Sequence, residues 1–496
     1  MITRLKRWID IDDIEFAIIG ISLVLSIWLV ERLDWWYDEA FTATLARLPL
    51  ADLLRATAQD VHPPLHYLVV SLIAPIVPGE WGTRIWSILC QGVAMLVLRD
   101  VLIRFNLKPA YRLPILALIC ILPSELIYAS SGRMYAQLQL LVLLQVIAVI
   151  DRRWWLLGIA TTLALYTHNY AVFYSFVIGM AAIIIELRTT CANPMPVKYR
   201  RLKFVDFNPP ASQFRCIFAA LGIPILLWLP WVIYGIIPQA ILARSGQHWI
   251  QPVNPGQALF TLYWAIQGTE TSAVFVPLTF LFVSLGMILA IPSAWRAKQY
   301  LLIALAIGPW LLACLASLFA PLLLYRALIP SVPFVVVLIV MAIQRASKPY
   351  RLIGFGLVGL SLAVGMVGTM QGYEDLARHT NSLDARTPFE PGALVVHLED
   401  TTLVTFAAYA QPGVRNVILS GCPENSGALG PVVRQAMGLG SISPADLPQK
   451  YYLVGLVGAL STACHQEQFN RLRSGSRTMV ENSTDFGIRG IYDIQN

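Results

Sequence analysis

Hydrophobic residues in this chain gather in long runs, not in the short alternations of strands or the narrow stripes of surface helices. The first run covers 14–30, between Asp12/Asp13 and Glu31/Arg32. Others lie near 85–103, 113–129, 134–150, 154–169, 170–187, 216–237, 272–292, 300–319, 327–344 and 352–370. A helix needs roughly 20 apolar residues to cross the hydrocarbon core of a bilayer, so the pattern predicts about eleven transmembrane helices. Arg4, Lys6 and Arg7 precede the first run, as in a secretory signal. The run is long for a signal core, carries no small-x-small cleavage pattern and is followed by many more spans, so it reads as a membrane helix.

Beyond residue 370 the pattern changes. ALVVHL (393–398), VRNVIL (414–419) and YYLVGLV (451–457) read as short strands, with helices at 400–410, 430–438 and 461–473 between them. The Gly/Pro/Ser-rich stretch 421–444 reads as a loop with at most one short helix. The expected architecture is a polytopic α-helical membrane protein, residues 1–370, followed by a small soluble α/β domain, residues 371–496.

Charge sets the sidedness. Lys and Arg near span ends tend to stay in the cytoplasm. With a cytoplasmic N-terminus, the inside loops carry Arg104/Lys108/Arg112, Arg152/Arg153, Lys198/Arg200/Arg201/Lys203, Arg296/Lys298 and Arg345/Lys348/Arg351. Residues 32–84 and the C-terminal domain then lie outside. The whole chain is +7; its tail holds 9 Lys/Arg against 12 Asp/Glu, or −3, which leaves +10 on residues 1–370. That excess fits topology and anionic lipid headgroups, and no basic-aromatic pattern points to nucleic acid. Only 13% of residues are charged and 57% are hydrophobic. A soluble domain carries about a quarter charged residues, so an ordinary soluble enzyme, a disordered chain and a disulfide scaffold are excluded.

Of seven cysteines, Cys90, Cys120, Cys216 and Cys314 lie in or beside spans, and Cys191 lies in an inside loop. Cys422 and Cys464 fall in the tail, where an oxidising compartment permits a bond, but spacing alone leaves their distance open. There is no CxxC and no zinc spacing.

Candidate chemistry concentrates in the first external loop, DWWYDEAFTATLARLPLADLLRATAQDVHPPLHYLVVSL. Asp38 and Glu39 sit close to the end of the first span. Ala40 to Leu54 show helical spacing, with Phe41, Leu45, Leu48 and Leu53 on apolar positions, which predicts an amphipathic helix lying in the interface. Trp35, Trp36 and Tyr37 suit the headgroup level. Asp60-Val61-His62-Pro63-Pro64 must be a sharp non-helical entry to the short apolar stretch that follows.

YDEAFT followed by DVHPPLHY resembles the first loop of GT-C glycosyltransferases, polytopic enzymes that take sugar from a polyprenyl-phosphate carrier. The likeness is to the lipopolysaccharide-core (Rgt-type) and protein O-mannosyltransferase-like bacterial group. SSGRMYA (130–136) resembles that group's external Arg-x-Tyr motif, with Ser131-Gly132 where many members carry Gln-Glu-Ala. YTHNY (166–170) resembles its Thr-His motif, and YRALIP (325–330) its late Arg-Tyr motif in reversed order. The resemblance implies a GT-C-like fold, a bacterial inner (plasma) membrane location, and inverting transfer without a covalent intermediate. It implies Asp38 as general base or acceptor-orienting acid. Glu39 would help hold the acceptor or a metal, and Asp60 and His62 would form a second polar cluster. Arg133 and Arg326 would face the donor phosphate, with Tyr135 and His168 in the same substrate-binding region.

Elementary chemistry asks for the same groups. Glycosyl transfer needs a base near the acceptor hydroxyl and cations or hydrogen-bond donors around the departing phosphate. A polyprenyl phosphate keeps its tail in the bilayer, so these groups belong at one interface. Glu125, near an outer span end, is a further ionisable candidate. The loop GQHWIQPVNPGQ (246–257), with His248 and Trp249, reads as an ordered external loop. Asp38, Glu39, Asp60 and His62 offer oxygen and nitrogen ligands to a divalent cation, but no spacing is diagnostic and metal dependence stays open. The expected partners are a polyprenyl-phosphate-sugar donor, membrane lipids, and a lipid, glycan or protein acceptor. The alternative is a transporter or flippase of lipid-linked sugars, which would show mirrored halves and mid-membrane ionisable residues. A non-catalytic scaffold displaying the tail requires neither the acid pair nor the HPP turn.

Overall fold

The computed structural model describes residues 11–31, 35–60, 62–191, 210–244, 254–267, 276–360, 363, 367, 387–409, 411–422, 431–458, 463–474, 476–484 and 487–495. All eleven predicted runs fall on helices: Ile11–Val30, Gly79–Arg104, Pro109–Cys120 with Pro123–Ser130, Tyr135–Ile150, Trp154–Leu165, Ala171–Cys191, Pro210–Trp231, Val276–Arg296, Tyr300–Ser317, Val332–Arg345 and 348–360. Among the described residues five helices are long and apolar enough to cross a membrane alone, or six counting one bent pair, and four more are apolar but shorter. Their outer faces expose Ile21, Val24, Leu226, Leu229, Ile288 and Leu315. Such a belt is untenable in water and expected against lipid, so the chain is embedded in a membrane. The basic loop residues Lys198 to Lys203, together with His248 and Trp249, lie outside the described residues, as does the proposed 370/371 boundary.

Proline shapes the departures from simple spans. The run 113–129 breaks where Leu122 is extended and Pro123 opens a new helix, at an angle of 53° to the last. Pro123 has no N–H to continue the preceding ladder. In the run 216–237, Pro224 and Pro230 precede a π turn at Val232–Ile236. The late run opens with a 3₁₀ turn, Tyr325–Ser331, which sets Arg326 at the head of the almost wholly buried helix Val332–Arg345.

The loop 35–79 corrects two expectations. The single amphipathic helix over 40–54 is in fact two, Tyr37–Leu45 and Leu50–Gln59, interrupted at Pro49. Part of its apolar face also meets protein. Phe41, Leu45 and Leu53 share a core with Val404, Ala408, Val433 and Met437 of the tail. Trp35, expected at the headgroup level, is buried; its ring lies 5.0 Å from Tyr409 and its backbone N–H donates to the Tyr409 hydroxyl at 3.0 Å. Burying each such side chain stabilises the seam by roughly 1.5–3 kcal/mol.

The tail is an α/β unit with a six-stranded sheet in the order β3-β2-β1-β4-β6-β5. β1 (Leu394–His397), β2 (Arg415–Leu419), β3 (Gly440–Ile442) and β4 (Lys450–Gly458) run parallel, whereas β5 (Arg477–Thr484) and β6 (Gly487–Gln495) add antiparallel. The three predicted strands are β1, β2 and β4, and the three predicted helices are Asp400–Ala408, Pro431–Ala436 and Ala463–Arg473. β3, β5 and β6 were not anticipated; β3 lies inside the stretch expected to be loop. Cys422 and Cys464 are bonded, with Cα atoms 5.6 Å apart.

At the far end of the bundle, Arg99, Arg104 and Arg112 have acidic partners. Glu15, fully buried, accepts from Arg99 Nε at 2.6 Å and Arg112 Nε at 2.9 Å. Arg104 pairs with Asp151 at 2.9 Å.

Candidate functional site

Trp36, itself extended, stands at the N-cap position of helix Tyr37–Leu45, so Asp38 and Glu39 both fall in its first turn. Acids are favoured there by the helix dipole and the unpaired N–H groups. Adjacent helical residues point about 100° apart, so the two carboxylates meet different surroundings.

Asp38 keeps 17% of its side chain exposed. One of its oxygens lies 3.1 Å from Arg326 Nη1 and 3.8 Å from Arg133 Nη2. Residues 95 and 288 positions away in sequence thus meet at one carboxylate. Arg133 is held by more than this pair: its Nη1 donates to the Asp38 carbonyl at 2.9 Å, the Thr42 hydroxyl at 3.1 Å and the Tyr67 hydroxyl at 3.3 Å. Arg326 lies 5.3 Å from the centre of the Trp36 ring. Two guanidiniums thus flank one carboxylate, in a site mostly removed from water.

Glu39 does not join Asp38. It is 1% exposed, and Arg84 Nε and Nη2 each donate to one of its oxygens at 2.7 Å. The Gly132 N–H donates to the same carboxylate at 2.6 Å. Arg84 also donates to the Val30 carbonyl at 3.1 Å. This buried fork ties helix Tyr37–Leu45 to helix Gly79–Arg104 and to the turn carrying Arg133. Gly132 is required there: a Cβ would lie 2.8 Å from Thr83 Cβ.

Asp60 accepts from the Tyr67 hydroxyl at 3.2 Å, so Tyr67 bridges Asp60 and Arg133. His66 braces the same turn, with Nε2 3.1 Å from the Gly132 carbonyl and Nδ1 3.2 Å from Gln137. Gln137 in turn donates to Thr167 at 3.1 Å, joining this region to the YTHNY segment. Burial first, then Asp38, Asp400 and Asp60, raises the Tyr37 phenol well above its usual value, which brings Asp400 of the tail electrostatically into the site.

His62 and His168 are buried and face each other, ring centres 4.9 Å apart. Tyr135 lies 5.8 Å from His168 and 4.9 Å from Tyr128. His62 Nδ1, His168 Nε2 and the Tyr135 hydroxyl are buried without a hydrogen-bond partner among the described residues. Burial, then the charge of Arg133 and those of His168 and Arg326, holds His62 well below its ordinary range.

The expected site residues Asp38, Asp60, His62, Arg133, Tyr135, His168 and Arg326 therefore lie in one region, and Glu39 stands behind it. Glu125 is buried within the bundle, accepting from Gln91 at 2.6 Å and Gln139 at 3.1 Å. Among the described residues no three His, Cys, Asp or Glu side chains gather to hold a metal ion, so Asp38, Glu39, Asp60 and His62 do not converge as a ligand set. Sequence reading missed Arg84, Thr42, Tyr67, His66 and Gln137. Arg84 carried one signal, an arginine at the span end that the charge pattern places outside, against the positive-inside trend.

No protein family and no curated protein matches the chain by sequence. Among solved structures, ArnT from Cupriavidus metallidurans in the apo state aligns over 96% of this chain and 97% of its own, at 14% identity and a TM-score of 0.52. The same protein bound to undecaprenyl phosphate aligns at 12% identity and a TM-score of 0.48. An Archaeoglobus fulgidus oligosaccharyltransferase tethered to an acceptor peptide aligns over 89% of this chain and 69% of its own, at 10% identity and 0.41. The first likeness shows a shared GT-C-like membrane fold; the other two are too distant to carry an argument.

Proposed function

We propose that the chain is an integral membrane glycosyltransferase that moves one sugar from a polyprenyl-phosphate-linked donor to an acceptor hydroxyl at the outer face of the membrane. The observation that carries this reading is the meeting of Asp38 with Arg133 and Arg326 at 3.8 and 3.1 Å. An anionic phosphate suits the two guanidiniums and competes with Asp38 for both, which frees the carboxylate to face the acceptor. The acceptor oxygen attacks the anomeric carbon as the bond to the phosphate oxygen breaks. That bonding pair leaves with the phosphate, where Arg133 and Arg326 stabilise it. The hydroxyl proton passes to Asp38. The products are the inverted glycoside and the polyprenyl phosphate.

In this reading residues 1–370 form the catalytic module and 371–496 an external domain closing over its first loop. The N-terminus is cytoplasmic, and the membrane is the bacterial inner membrane. Glu39 is a positioning residue: through Arg84 and Gly132 it fixes the turn that presents Arg133 and the helix that presents Asp38. A flippase is disfavoured because the ionisable groups of the site, Asp38, Asp60, Arg133 and Arg326, gather in one cluster formed by span ends and the loop after the first span.

Asp38→Ala tests the proposal, with sugar transfer measured in membranes containing the properly inserted variant. Loss of a general base is expected to lower the rate about 10²- to 10⁴-fold. Unchanged transfer removes Asp38 as the base.

A further inference from the structure

The arginines account for a phosphate but leave the polar patch beside them unexplained. His62 Nδ1, His168 Nε2 and the Tyr135 hydroxyl are buried and unpartnered among the described residues, and their rings touch in series, 4.9 Å and 5.8 Å between centres. An orphaned buried polar group costs about 1–3 kcal/mol, so three in one patch are expected to serve something that occupies the site. We infer that His62, His168 and Tyr135 form a sugar subsite that recognises the hydroxyls of an uncharged sugar on the lipid-linked donor. The inference rests on the transferase reading above.

The chemistry of the three groups selects the ligand class. His168 Nδ1 accepts the Tyr170 N–H at 3.0 Å, so in the neutral ring the proton sits on Nε2, the orphaned atom. Burial first, then the charges of Arg133 and Arg326, disfavours protonation of His168. His168 Nε2–H can therefore only donate, the Tyr135 phenol donates or accepts, and His62 Nδ1 does one or the other by tautomer, a mixed set that suits sugar hydroxyls, which also donate and accept. A phosphate or carboxylate only accepts, and it is already served by the two guanidiniums. None of His62, His168 and Tyr135 carries a negative charge to pair with a cationic amino sugar, so a neutral hydroxylated sugar is the match.

The test compares binding of two probes to the full-length protein in detergent: undecaprenyl phosphate, and undecaprenyl phosphate carrying a neutral hexose, assayed separately as the glucosyl and mannosyl forms. The variants are Tyr135→Phe, which removes a single oxygen, and His168→Phe. Each is expected to weaken binding of at least one glycosylated probe about three- to tenfold, the equivalent of one neutral hydrogen bond, while leaving the bare carrier unaffected. Arg326→Gln should weaken both probes together. Because the Tyr135 hydroxyl has no protein partner, Tyr135→Phe should leave thermal stability equal or higher, an outcome that a structural role would reverse. Equal weakening of bare and glycosylated probes would make this a phosphate site and overturn the inference. Unaltered binding of every probe by both variants would overturn it too. A wild-type protein that binds no carrier phosphate defeats the transferase reading itself, and the subsite with it.

Discussion

Replacing Arg84 with Met removes the charge from the buried fork behind the site while keeping an apolar stem of similar reach. Both members are nearly sealed from water, at 1% and 2% side-chain exposure. The substitution takes away two charge-assisted hydrogen bonds at 2.7 Å and leaves the Glu39 carboxylate with the Gly132 N–H at 2.6 Å. Breaking a buried pair from one side costs about 3–5 kcal/mol, because the remaining charge is stranded. Soluble-protein scaling gives an unfolding entropy near 1 kcal/mol per kelvin for a chain this long, so the Tm should fall by roughly 3–5 °C. Thermal unfolding in detergent measures the loss. The double variant Arg84→Met/Glu39→Leu supplies the control: with no charge left to strand, it should recover at least half of the drop. Sugar transfer should fall in both variants, because each releases the turn that aims Arg133 at Asp38. A Tm within 1 °C of wild type for Arg84→Met, or a double variant no better than the single one, would refute the claim that this pair holds the site together.

Three other outcomes follow from the same geometry, alongside the Asp38 test. Gly132→Ala drives a Cβ to 2.8 Å from Thr83; overpacking of this kind costs about 1–3 kcal/mol and should appear as a lowered Tm. His397, in the tail's core, hydrogen-bonds Thr402 at 3.1 Å and Asn416 at 2.9 Å, and burial pushes it down from 6.5 to about 4. Its contribution is therefore complete above pH 6.5 and lost as pH falls toward 4, about 3 kcal/mol in all; hydrogen exchange in the full-length chain should show tail protection dropping across that window, and less so in His397→Gln. Reducing Cys422–Cys464, whose residues are 42 apart, should destabilise the tail by about 4 kcal/mol on the chain-entropy account, read as faster proteolysis within it.

Much of the architecture is a local property of the chain, which is why it was legible in advance. A run of apolar residues long enough to span a bilayer must be helical wherever it packs, because lipid offers no partner to an open backbone. The same holds for β1, β2 and β4, whose buried apolar runs announce strands, and for Asp38, set by its neighbours at the mouth of a helix. β5 and β6 carry no such run: RTMVENST and GIRGIYDIQ mix polar and apolar residues, and β6 becomes a strand through its antiparallel pairing with β4.

Adjacent acids look equivalent on paper, yet Asp38 and Glu39 part because one helical step turns the second toward Arg84, 45 residues away. The amphipathic stripe of Phe41, Leu45 and Leu53 said only that something apolar would cover it; the fold supplied Val404, Val433 and Met437 where a membrane surface was expected. The contact of Asp38 with Arg133 and Arg326, the pairing of His62 with His168, and the closure of Cys422 on Cys464 each join segments far apart along the chain. Composition and periodicity determine what a residue prefers to be near, but not which distant group satisfies it. That choice belongs to packing, where one arrangement of helices brings charges within reach of each other and, among the described residues, leaves His62, His168 and Tyr135 each with an unpaired polar atom.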